Sequence, residues 1–143
     1  MLSRIHHVGI VVRRLEDGYR FYRDVLGLRL IKEATVVDQG VKAALLQIGE
    51  SEIELLEPID PNGGVAKFLA KRGEGLHHVC FATDDVDREL EATKAKGIPV
   101  IDQKPRVGLA GMICFLHPKA QHGVLIEYAQ PFPDDEGHGP PHA

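Results

Sequence analysis

The sequence predicts an α+β protein in which two βαβββ modules close an eight-stranded, cup-like sheet. Three observations carry this. Apolar text reads strand, helix and then three strands, twice over. Ile5-His6-His7-Val8 recurs as Leu76-His77-His78-Val79, and the two helices end on Gly27 and Gly97, so the repeat offset is 71 by the histidines and 70 by the glycines. Finally, the last strand of each half carries a carboxylate among apolar neighbours, Ile53-Glu54-Leu55 and Ile126-Glu127-Tyr128, at nearly equal distances past its histidine pair. An internal duplication accounts for all three.

Ile5 to Val12 is short and rich in β-branched residues, as a strand should be. Leu15, Tyr19, Tyr22 and Leu26 then recur at helical spacing, and Gly27 suits the positive φ of a helix end. Leu28 to Val37, Val41 to Ile48 and Ile53 to Glu57 follow as strands, separated by turns at Gln39-Gly40 and Gly49-Glu50-Ser51. Pro58 to Gly64 reads as a loop and Val65 to Lys71 as a short linking helix. The second module starts with a strand from Leu76 to Thr83. Asp84 or Asp85 caps a helix carrying Val86 and Leu90, and strands are expected at Pro99 to Ile101, Met112 to Leu116 and Val124 to Tyr128. The expected organisation is one domain over 1–130, with modules 1–58 and 76–130 joined by 59–75. Residues 131–143 (PFPDDEGHGPPHA), which include His138 and His142, have too little apolar surface to offset the entropy of ordering them and are expected to be disordered.

At 143 residues the chain has room for one core, and 43% apolar with 27% charged residues is an ordinary globular composition with no bilayer span. A net charge of −4 argues against nucleic acid as a partner, and no membrane association is expected. Cys80 and Cys114 sit inside apolar runs, and no signal-like segment follows Met1, so a cytoplasmic protein with reduced, buried thiols is expected.

Neighbouring side chains of a strand face opposite ways, so one histidine of each pair can face a sheet's concavity, and alternation alone does not say which. Two imidazoles and two carboxylates at matching places make an N2O2 set suited to Co, Mn, Ni, Zn or Fe. The competing reading has hydrogen-bonded strand histidines and solvated glutamates. Glu is depleted in strands, and a repeated carboxylate amid Ile and Leu is costly unless paired, which favours the metal.

Both halves resemble the vicinal oxygen chelate superfamily of paired βαβββ modules, and within it the methylmalonyl-CoA epimerase family across nearly the whole chain before the tail. The segments that carry the resemblance are HHVGIVV (6 to 12), EIELLEP (52 to 58), VAKFLAKRGEGLHHV (65 to 79), KPRVG (104 to 108) and FLHPKAQHGVLIE (115 to 127), the last two being the most discriminating. The resemblance implies a metal on His7, Glu54, His78 and Glu127, taking the second histidine of each pair. It implies one divalent ion per subunit, cobalt first with Mn, Ni or Zn as alternatives. It also implies an acyl-CoA substrate, a homodimer, and epimerisation at C2 through an enolate with Glu127 as a proton carrier. Glu54 stands where the family has Gln or Glu.

Inversion calls for a second acid or base on the opposite face. Some members carry a catalytic Glu in the strand after the QG turn, but this chain has Ala43 there. Glu54, a metal-bound water and Lys42 remain, in that order. Lys119, Arg106 and Lys104 could meet phosphates or the substrate carboxylate, and Gly108 and Gly111 could let backbone amides approach, against the alternative of a solvated loop. Lys67, Lys71 and Arg72 read as an exposed face, and His117 and His122 as surface or supporting groups. Cys80 shares strand parity with His78 but reads as a buried filler. A glyoxalase I-type isomerase is the alternative function. An extradiol-type dioxygenase, which needs open positions that a ligand at Glu54 would crowd, and an antibiotic-sequestering protein without metal stand behind it.

Overall fold

In the computed structural model, which describes residues 1–133, the chain runs β1 (Leu2–Val11), α1 (Leu15–Gly18), β2 (Arg29–Val36), β3 (Val41–Ile48), β4 (Ser51–Pro58), α2 (Gly64–Arg72), β5 (Gly75–Thr83), α3 (Val86–Ala95), β6 (Arg106–Gly108), β7 (Gly111–Leu116) and β8 (Ile126–Gln130). The eight strands form one sheet in the order β2-β3-β4-β1-β5-β8-β7-β6, so the βαβββ pattern occurs twice and the class is α+β. Contacts divide the chain into two compact units, one of residues 1–7 with the chain from His78 onward, the other of Val8–His77. Strands β1 and β5 thus change unit midway, each immediately after a histidine of the first pair or within the second.

In the Val8–His77 unit, β2, β3 and β4 are an antiparallel meander whose rungs pair Leu45 with Glu54, Ala43 with Leu56 and Gln47 with Glu52. Side chains of a rung share a face, so the odd positions of β3 lie with Glu52, Glu54 and Leu56, all buried. The even positions of β3 face the helix: Ala44 and Leu46, with Leu55 across from Ala44 on β4, pack with Val12, Leu15 and Tyr19. The helix packs closely here: a Cβ at Gly18 would stand 2.5 Å from Leu55 Cδ1 and would have to displace that methyl. The helix departs from the expected one. After α1 it continues as a π-helix over Tyr19–Val25, with Leu26 N–H donating to Phe21 C=O. The wider winding turns Leu26 off the buried stripe, leaving it 52% exposed.

In the other unit β5 pairs with β8 in parallel, and β8, β7 and β6 continue antiparallel. Of the two candidate caps, Asp85 is the one used, its carboxylate accepting from Arg88 N–H at 3.1 Å. Helix α3 buries Val86 and Leu90 against Cys114, Leu116 and Tyr128. The strand expected at Pro99 to Ile101 is corrected: only Val100 bridges, to Leu116, and the paired strand is β6 at Arg106–Gly108. Pro99 has no N–H to give a ladder, and Asp102 turns its carboxylate onto Phe115 N–H at 2.8 Å, taking the donor a strand carbonyl would otherwise use. The last strand begins at Ile126, since Val124 N–H closes a turn onto Gln121 C=O.

Cys80 and Cys114 are buried thiols that are not joined in a disulfide. Among the described residues no helix is long and apolar enough to cross a membrane. The expectation of a disordered tail, with His138 and His142, lies from residue 134 outside the described residues.

Candidate metal centre

Parallel pairing sets Cys80 beside Glu127, and antiparallel pairing sets Phe115 on its other side. His78 is two residues from Cys80, so His78, Cys80, Glu127 and Phe115 share one face of this unit's sheet. The His78 ring meets the Phe115 ring edge to face at 5.5 Å, which fixes its plane. His7, at the end of the β1 stretch that belongs to the same unit, completes the group.

Three atoms converge. His7 Nε2 lies 3.0 Å from Glu127 Oε1, His78 Nε2 lies 3.0 Å from the same oxygen, and the two Nε2 atoms are 3.0 Å apart. All three residues are buried, and Glu127 Oε1 has no hydrogen-bond donor aligned on it. A buried carboxylate oxygen facing two imidazole nitrogens at that distance is a donor set that could hold a divalent cation. The donor chemistry, two nitrogens and one oxygen, also fits. Burial alone would raise the Glu127 carboxyl, but its interactions with the His7 and His78 rings outweigh this and hold the group below the usual carboxylate range.

Glu54 lies in the other unit, buried on β4 across from Leu45. Lys42 is corrected as a proton carrier: three positions from Leu45, it is on the opposite face from Glu54, with Nζ 3.9 Å from Glu33 Oε2. Ala43 is buried on the Glu54 face. His77 does not join the cluster and packs against Phe68 at 5.0 Å.

The substrate-loop candidates divide. Arg106 has Nε 3.0 Å from Asp102 Oδ1 and its guanidinium over the Phe115 ring at 5.7 Å, so it braces the residue that braces His78. Gly111 answers to its own chain: at φ +136, a Cβ there would meet Gln130 O at 2.2 Å, so the backbone of β8 and not a ligand excludes a side chain. Lys119 is exposed on a turn whose N–H donates to His117 Nδ1 at 3.1 Å. Two contacts escaped sequence reasoning. Phe115 could have been found from its place opposite Glu127 once the hairpin register was known. His6 sits with Nδ1 2.8 Å from His7 Nδ1, against the alternation expected of β1.

The Glyoxalase/Bleomycin resistance protein/Dioxygenase superfamily matches residues 6–115. Mitochondrial methylmalonyl-CoA epimerase of Mus musculus is 34% identical over 90% of this chain and 74% of its own. A methylmalonyl-CoA epimerase solved in complex with methylmalonyl-CoA and NH4+ is 39% identical, with a TM-score of 0.90 over 93% of this chain and 97% of that one. The chain belongs to the methylmalonyl-CoA epimerase family. A further relative in that family, the ethylmalonyl-CoA/methylmalonyl-CoA epimerase of Cereibacter sphaeroides, is 33% identical over 91% of this chain and 99% of its own.

Proposed function

We propose that the chain epimerises methylmalonyl-CoA at C2, interconverting the 2R and 2S forms, with a divalent metal on His7, His78, Glu127 and Glu54. The observation that carries the reading is the buried triangle of His7 Nε2, His78 Nε2 and Glu127 Oε1 in a chain of this family. Glu54 is added because it is a buried strand carboxylate at the place in the first repeat that Glu127 holds in the second.

A bound divalent cation supplies Lewis-acid stabilisation for the negative charge that builds on the thioester oxygen as the C2 proton leaves. Glu127, held ionised by its two imidazoles, takes that proton, and the C–H electron pair passes into the thioester to give an enolate. Return of a proton to the opposite face restores the C2–H bond with inverted configuration, so nothing is consumed. With Ala43 unable to carry a proton and Lys42 on the far face, Glu54 is our choice for the second carrier. The metal is read as cobalt, with Mn, Ni and Zn satisfying the same donors, and the protein as a cytoplasmic homodimer. The metal and the dimer follow the family resemblance, the cytoplasm follows the cysteine usage, and light scattering tests the dimer.

The deciding experiment incubates metal-loaded protein with one epimer in D2O, following deuterium at C2 and appearance of the other epimer, beside a chelated control. Both signals, lost on chelation, are expected. Deuterium entry without inversion would remove Glu54 from its role. Neither signal, together with turnover of a glutathione hemithioacetal, would replace the proposal with the glyoxalase reading.

A further inference from the structure

His6 and His7 are neighbours on β1, so their side chains should part to opposite faces. They do not part fully. Both are buried, at 3% and 0% exposed, while Ile5 beside them is 46% exposed. Their rings meet edge to face at 5.1 Å, and the two Nδ1 atoms are 2.8 Å apart. At that distance one nitrogen donates and the other accepts, so a single proton lies between them.

The other end of the His7 ring decides which way it points. A neutral imidazole carries one N–H. A metal held by His7 Nε2 uses that nitrogen's lone pair, so the ring's one N–H then lies on Nδ1, 2.8 Å from His6 Nδ1. We infer that His6 is a positioning residue, accepting the Nδ1 proton of His7 through its own Nδ1 and so keeping the His7 Nε2 lone pair turned toward Glu127 and His78. This rests on the metal reading given above. Metal-bound histidines commonly give their second N–H to a carboxylate, a carbonyl or a water. Here another imidazole does that work, which requires His6 to be neutral with its own proton on Nε2.

The same atoms admit a rival. His6, His7 and Cys80 also offer one ligand atom each within 4.8 Å of one another, and a cation held there through the His7 nitrogen that faces His6 would need Nδ1 bare. The two arrangements demand opposite tautomers of His7, so one measurement separates them.

The test is nitrogen-15 NMR of the histidine rings in metal-free and zinc-loaded protein, with cobalt titrations of the wild type, His6→Phe, His6→Asn and Cys80→Ser. The expected result is His7 protonated at Nδ1 in both forms. His6→Phe should weaken cobalt binding by roughly 10- to 100-fold, as for other groups that orient a metal-bound histidine. His6→Asn, whose carbonyl can accept the same proton, should recover most of that loss, which a merely structural role would not allow. Wild-type cobalt affinity in His6→Phe would overturn the inference. So would a bare His7 Nδ1 with a thiolate-to-cobalt absorption band that disappears in Cys80→Ser. If the wild type binds no divalent cation, the metal reading itself falls, taking the positioning role with it; the metal-free spectrum would still report where the His6–His7 proton lies.

Discussion

The Nε2 atoms of His7 and His78, 71 residues apart in the chain, lie 3.0 Å apart in the protein interior. Two bare imidazole nitrogens at that distance repel, so either a proton or a cation lies between them. Divalent cobalt should therefore stabilise the fold by mass action, by about 2.7 kcal/mol at a free concentration of 100 times Kd. For a chain of this size that corresponds to a Tm increase on the order of 5–10 °C. Differential scanning calorimetry with and without cobalt checks this, and His78→Ala should abolish the shift.

Gly111 and Gly97 make a matched pair for backbone strain. Both have positive φ, +136 and +79, but a Cβ at Gly97 meets nothing within 4 Å while one at Gly111 stands 2.2 Å from Gln130 O. Gly97→Ala should cost about 1 kcal/mol, the strain of the dihedral alone. Gly111→Ala must also push β7 from β8, and the loss should exceed about 3 kcal/mol. Urea denaturation midpoints compare the two directly.

Leu90 is fully buried where α3 meets Cys114, Leu116 and Tyr128. Leu90→Ala should destabilise by about 2–5 kcal/mol through lost transfer energy and the cavity left behind. The variant's cobalt affinity in the folded state should be unchanged, because none of these residues belongs to the His7, His78 and Glu127 cluster. Chemical denaturation and calorimetric titration of one sample separate the two effects.

Burial, with the Asp102 and Glu127 charges adding to it, pushes the Cys114 thiol up to about 12. The thiolate is the reactive species, so at pH 8 only about one part in ten thousand of Cys114 is reactive. A disulfide reagent should leave it unmodified in native protein and consume both Cys80 and Cys114 once guanidinium unfolds the chain. Fast native labelling of Cys114 would contradict the buried environment.

The duplication made much of this readable. His7, His78 and Glu127 could be picked out because each recurs at the same place in a repeat, and the β3–β4 hairpin was set by Gly49 and alternating apolar text. What escaped depends on contacts between distant positions. The π-helical winding leaves Leu26 exposed although apolar spacing puts it on one stripe with Leu15 and Tyr19, which pack with Ala44, Leu46 and Leu55. Strand β6 was hidden because Asp102, outside any strand, takes the Phe115 N–H. Gly111 looked like a place for a ligand to approach, but Gln130, far along the chain, is what excludes its side chain. The His6–His7 contact contradicts ideal alternation, and a pattern of one letter per residue cannot show a ring turned to meet its neighbour.

Residues 1–7 join the unit built from His78 onward. His7 therefore folds with the half of the chain that carries His78 and Glu127, and removing the first strand would take a candidate ligand from a unit whose other members lie far along the sequence.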